Sequence, residues 1–149
     1  MLITKENAQK IIRQRNLCSY MNDTKWNELR TAMTGSLRHE PTFTMRTLFD
    51  PEGVSYYGDW NYPCICGSHC ESYFPAVAFA IEWVKIRPVI RLPHPEYEKR
   101  IQHVRGTHPY YTCPRTVDLD LSEEIEAILK QYTIPYEKEQ VLFCIYGYK

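Results

Sequence analysis

The sequence predicts an α+β fold, a two-layer domain with helices packed on one face of a mainly antiparallel sheet, and three patterns predict it. Apolar residues recur at helical spacing near the amino terminus and again over residues 121–132. Period-two alternation runs through residues 42–49, and an apolar, aromatic and β-branched run occupies 78–87. A chain of 149 residues is large enough to bury a core without a disulfide or a metal. We therefore expect a single domain over 1–149, with residues 1–21 as an N-terminal helical extension and 88–117 as a long irregular loop.

The first helix is predicted over residues 4–16, with Thr4 as cap and Ala8, Ile11, Ile12 and Arg15 on one stripe. Asn22 or Asp23 caps a second, in which Trp26, Leu29, Ala32 and Met33 share a face and which ends near Gly35, where a left-handed residue is cheap. Phe43, Met45, Thr47 and Phe49 then alternate with polar neighbours, and "DPEG" at 50–53 is turn chemistry before a returning strand over 54–60. The strongest strand covers 78–87, with Phe79, Ile81 and Trp83 on one face and Val84 and Ile86 on the other, and it is expected to lie centrally. Five prolines and little periodicity make the following stretch irregular. A third helix carries Leu121, Ile125, Ile128, Leu129 and Tyr132 on one stripe, capped by Asp118 or Asp120, the latter at capping-box spacing from Glu123. Residues 141–148 form the last strand.

The first ten residues turn polar after three, which predicts no signal peptide, and the longest apolar run, 76–81, is too short to span a bilayer. The expected compartment is the cytoplasm, where thiols stay reduced. Charge is balanced overall but uneven along the chain. Lys85, Arg87, Arg91, Lys99, Arg100, Arg105 and Arg115 face only Glu96 and Glu98, whereas Asp118, Asp120, Glu123, Glu124, Glu126, Glu137 and Glu139 face only Lys130 and Lys138. The plain expectation is that the two segments pair within the fold or sit on separate solvated faces. The sharper one is an acidic helix face that meets a basic partner. Nucleic-acid binding through the basic 85–115 segment ranks third among functions, because zero net charge gives little long-range attraction to phosphate.

The most crowded stretch is "PCICGSHCE" at 63–71. Zinc takes four thiolate or imidazole ligands, and Cys64, Cys66 and Cys70, with His69 as substitute, supply three; Cys113 is the best distant fourth, ahead of His108, His103 and His94. The spacing departs from the usual zinc turn, in which two residues separate the cysteines. Plain thiols in a reducing compartment therefore come first, and zinc is the alternative cofactor. Cys18 and Cys144 lie in apolar contexts and are expected in the core.

Catalytic motifs are missing. His39 beside Glu40, His94 near Glu96, and His108 after Thr107 have no nucleophile elbow, metalloprotease helix or phosphate loop around them. Asp59 and Glu82 suggest a carboxylate pair across two strands, but salt bridges to Lys85 and Arg87 are the plainer expectation.

The stretches "NDTKWNEL" (22–29), "GDW" (58–60), "IEWVKIRP" (81–88), "AILKQYTIPYE" (127–137) and "YGYK" (146–149) together resemble a family of small, largely uncharacterised bacterial domains. The likeness covers most of the chain and leaves out the cysteine loop. It carries no catalytic residues, and it implies a role like that of immunity proteins of bacterial toxin systems, which are small and non-enzymatic. Such a protein occludes its target with a pre-formed surface, and twelve tyrosines and three tryptophans provide rigid contact area, although Trp26 and Trp83 are expected in the core. The expected partner is therefore a cognate toxin, docked on Glu123, Glu124 and Glu126 of the third helix or on Tyr97, Tyr110 and Tyr111 of the long loop.

Elemental analysis of freshly purified, chelator-free protein separates the two readings of the cysteine loop. We expect metal-free protein; near-stoichiometric zinc would instead favour the metal reading.

Overall fold

The computed structural model describes residues 2–58, 60, 78–93 and 116–149. Helix α1 (Lys5–Arg15) and helix α2 (Asp23–Gly35) come first, followed by strands β1 (Thr42–Thr47) and β2 (Tyr56–Tyr57). A 3-10 turn at Ala78–Ala80 leads into β3 (Ile81–Arg87) and β4 (Val89–Pro93). Strand β5 (Thr116–Asp120), helix α3 (Ser122–Gln131), and strands β6 (Glu137–Glu139) and β7 (Leu142–Tyr146) complete the order. The fold is α+β, as expected: five antiparallel strands in the order β2-β1-β3-β7-β6, plus a separate β4-β5 ribbon.

The helix caps follow from local chemistry. Thr4 accepts a hydrogen bond from the Asn7 amide at 3.1 Å, and Asn22 accepts one from the Lys25 amide at 2.8 Å, each satisfying an orphan donor of the first turn. Helix α1 ends on Asn16 in the left-handed region (φ 53). Helix α2 does not end that way: Gly35 remains helical and Ser36 closes the helix with right-handed geometry. Helix α3 also departs from expectation. Leu121 occupies the cap position without a side-chain bond, because Asp120 is the last residue of β5 and its carboxylate accepts from the Ser122 amide (2.9 Å) and hydroxyl (2.5 Å).

The core is the expected helical stripes laid on one sheet face. Trp26, Leu29, Ala32 and Met33 of α2 and Leu121, Ile125, Ile128 and Leu129 at α3 are buried with Phe43, Met45, Val84, Ile86, Phe143 and Ile145. Burial of each large side chain is worth about 1.5–3 kcal/mol, which is what holds the two layers together. Trp60 is buried too. Its ring centroid lies 4.1 Å from that of Phe43, and its indole N–H donates to the Pro41 carbonyl at 2.8 Å.

One irregularity sets which residues face that core. Arg46 pairs with Trp83, yet the next residue, Thr47, pairs with Ile81, so Glu82 is an extra residue in β3. The bulge breaks the period-two count. Ile81 therefore joins Val84 and Ile86 on the buried face, while Trp83, expected in the core with Ile81, lies half-buried on the opposite face with the Lys85 ammonium 4.6 Å from its ring. Glu82 is 7% exposed, and its carboxylate accepts from Arg15 (2.5 Å) and Arg46 (3.1 Å), so its ion pairs are not with Lys85 or Arg87.

Other differences arise from pairings between distant segments. Residues 89–93, expected within the irregular stretch, form β4 and pair with β5, where Arg91 faces Asp118 at 3.4 Å. That pair, and Lys85 with Glu139 at 3.2 Å, join the basic segment to the acidic one within the fold. The returning strand after the "DPEG" turn is only Tyr56–Tyr57. The last strand is preceded by a short partner, β6, across a turn with Gln140 at φ 56. Cys144 is buried as expected, but Cys18 is exposed because its segment lies along the molecular surface.

Two backbone positions yield opposite expectations. A Cβ on Gly147 would fall 2.1 Å from the Ile81 carbonyl oxygen, so Gly147→Ala should cost about 3 kcal/mol in urea unfolding. Thr133 holds φ 54 after α3, the place glycine usually takes in such a cap, so Thr133→Gly should gain about 1 kcal/mol. A neutral Gly147→Ala would contradict the close approach described here.

Candidate functional site

Where α1 ends, Leu17 donates to the Ile12 carbonyl (3.0 Å) and the chain turns to run antiparallel to its last residues. Cys18 donates to the Lys149 carbonyl (2.9 Å) and accepts from the Lys149 amide (3.0 Å), and Tyr20 donates to the Gly147 carbonyl (2.9 Å). This pairing fixes Tyr20, whose side chain stays outside the core, the residue being 49% exposed. The same final segment is tied to β3, because the Glu82 carbonyl accepts from the Gly147 (2.8 Å) and Tyr148 (3.2 Å) amides. The Tyr148 hydroxyl donates to the Phe79 carbonyl at 2.8 Å.

On the other side, the end of α3 sets Pro135 and Tyr136. Thr133 donates to the Lys130 carbonyl (3.2 Å) and Ile134 to that of Leu129 (2.9 Å), the paired bonds of a left-handed helix stop. Ile134 is buried. Tyr136 then packs its ring 5.7 Å from that of Phe143 and donates its hydroxyl to Glu126 at 2.8 Å. Glu137 enters β6 opposite Cys144.

Between these two supports lies a surface groove of about 280 Å³, lined by Tyr20, Pro135, Tyr136, Glu137, Tyr146 and Lys149. Three tyrosines, one carboxylate and one ammonium meet there. The Lys149 ammonium lies 4.7 Å from the Tyr146 ring centroid and donates to both Glu137 oxygens at 2.7 and 2.9 Å. That bond raises the Lys149 pKa, and burial raises that of Tyr146, so lysine and phenol keep their protons at neutral pH. On β7, where Cys144 pairs with Glu137, burial and then a bond to Glu139 push the thiol up to about 11, which leaves it a poor nucleophile at neutral pH.

A second hollow of about 530 Å³ is lined by Arg15, Arg46, Leu48, Asp50 and Glu52. Its charges are largely committed to structure. Both arginines hold Glu82, and the Asp50 carboxylate accepts from the Thr47 amide (2.8 Å) and hydroxyl (2.9 Å).

The helix face singled out in the sequence is less uniform than its composition suggests. Glu123 is exposed; Glu124 accepts from Arg38 at 2.6 Å; Glu126 is held by Tyr136, by Lys138 (2.7 Å) and by Lys130 (3.5 Å). Cys64, Cys66, His69, Cys70, Cys113, Tyr97, Tyr110 and Tyr111 lie outside the described residues, as do Asp59, His94, His103 and His108. Among the described residues, no group of three or more His, Cys, Asp or Glu side chains is placed to hold a metal. No helix among them is long and apolar enough to cross a membrane. The groove residues come from "IPYE", from "YGYK" and from the segment after α1, and the sequence gives no sign that these meet.

A family model matches residues 8–149, nearly the whole chain. The chain belongs to DUF6678, a family of unknown function. The match takes in α1 from Ala8 onward as well as every stretch on which the sequence resemblance rests. No curated protein matches the chain, and no solved structure does.

The bonds to Glu126 carry a pH dependence of defined sign. Lys138 first, and Tyr136 second, lower its pKa from 4.5 to about 2. Its contribution to stability is therefore complete above about pH 4.5 and lost as pH falls toward about 2. Glu126→Gln should flatten the fall in melting temperature across that window; identical slopes for variant and parent would remove the assignment.

Proposed function

We propose that this chain is a non-enzymatic binding protein of immunity type, a cytoplasmic bacterial protein that neutralises a toxin by forming a one-to-one complex with it. The observation that carries the reading is the groove of Tyr20, Tyr136 and Tyr146, whose walls are set by backbone pairing at 18–20 and by the helix stop at 133–134. Tyrosine offers large contact area with few rotatable bonds, so a surface already held in place loses little entropy when a partner lands on it. Tyr57, 83% exposed on the edge strand β2, adds a second aromatic contact. The resemblance carried by the tryptophan-bearing stretches supports the same class.

Growth rescue tests the proposal. Co-expression with the toxin encoded beside it should restore growth and yield an equimolar complex on size-exclusion chromatography. Tyr20→Ala combined with Tyr146→Ala should weaken the complex by at least about tenfold, the effect of losing more than about 1.4 kcal/mol at interface aromatics, with the variant's circular dichroism spectrum unchanged. Absence of both protection and complex would overturn the reading.

A further inference from the structure

The groove already holds one cation. The Lys149 ammonium sits against the Tyr146 ring with both oxygens of Glu137 as acceptors, and Tyr20 and Tyr136 complete the walls. Aromatic faces around one side and a carboxylate on another are the groups that recognise an ammonium or guanidinium.

The internal cation is weakly held. Both Lys149 and Glu137 have exposed side chains, at 49% and 57%, and an exposed pair of this kind favours its closed state by no more than about fivefold. A competing cation can therefore displace it at little cost. Lys149 leads from a fixed backbone, since its amide and carbonyl both bond to Cys18, so only its side chain has to swing out.

Once Lys149 leaves, neighbouring lysines do not substitute for it. Lys138 is held by Glu126 at 2.7 Å, and Lys85 is held by Glu139 at 3.2 Å with its ammonium over Trp83. Glu137 is then an open carboxylate facing a groove of about 280 Å³.

We propose that the groove is the docking site for an arginine or lysine side chain presented by the protein partner, and that Lys149 is its built-in surrogate, displaced when the partner binds. This rests on the reading of the chain as a protein-binding module, and names the chemistry its partner brings to this groove. An arginine suits it better than a lysine, because a planar guanidinium can stack on a tyrosine face while its fork meets Glu137.

The test titrates the blocked tripeptide acetyl-Gly-Arg-Gly-amide into the full chain, monitored by tyrosine side-chain NMR shifts. Binding should be weak in the parent, up to about fivefold tighter in Lys149→Met, and lost in Glu137→Gln, with Tyr20 and Tyr146 resonances moving together. Acetyl-Gly-Glu-Gly-amide should leave those resonances in place. No saturable shift with Lys149→Met, or equal binding of the acidic tripeptide, would overturn the proposal. The titration does not depend on the toxin assay. Protection with no tripeptide binding would sink the cation site and leave the binding module standing; tripeptide binding without protection or complex would do the reverse.

Discussion

Residue 82 is the point on which the described structure depends. A carboxylate placed in a sheet and almost removed from water is unfavourable unless it is fully engaged, and here two arginines engage it, one from α1 and one from β1. Its carbonyl takes two amides from the final segment. One residue thus ties the first helix, the neighbouring strand and the last residues of the chain to the central strand. Loss of the carboxylate would strip both guanidinium groups of their acceptor, and the largely buried Arg46 would suffer more than Arg15, which water can reach.

Since Glu82 is also the extra residue of the bulge, its placement and the sheet's facing are one event. The bulge turns Ile81 toward the core and the Glu82 carboxylate to Arg46, where it stays buried. It aims the 82 carbonyl at Gly147, where the lack of a side chain allows the chain to lie against Ile81. Gly58 meets a similar demand in another part of the sheet, since a Cβ there would strike the Phe43 ring that packs on Trp60. Both glycines, and Trp26, Trp60 and Glu82, fall in the stretches that carry the family resemblance. Their roles are in packing, in backbone approach and, for Glu82, in ion pairing, and the tyrosine groove is built on top of that frame.

What can be read in the sequence follows from how local its cause is. Helices α1, α2 and α3 and strand β1 are legible because each is defined by a stripe or alternation within its own residues, and the burial of Trp26, Leu29, Ile125 and Met45 matches those patterns. The β4-β5 ribbon is not, because its strands are separated by residues 94–115 and meet only through a long-range register, with Ile90 and Leu119 packing on the core once they do. Trp83 looks like a core residue until one extra residue shifts the count beside it. Asp120 has the spacing of a helix cap but is the last residue of β5, one position before the cap, from where its carboxylate takes the first helical amide. The groove is hidden for the same reason: Tyr20, Tyr136 and Tyr146 are ordinary aromatics until Cys18 finds Lys149. The cysteine loop, the most conspicuous feature of the sequence, lies outside the described residues.

The sheet closes on one side with β6, three exposed residues reading Glu-Lys-Glu, and on the other with the two-residue β2. Neither rim presents a long, uncharged run of open amides and carbonyls, which is what a foreign strand needs in order to zip on. Among the described residues, the rims of this five-stranded sheet are thus poor templates for strand addition. A visitor at the β6 side therefore meets two carboxylates and an ammonium before it meets three residues of open ladder.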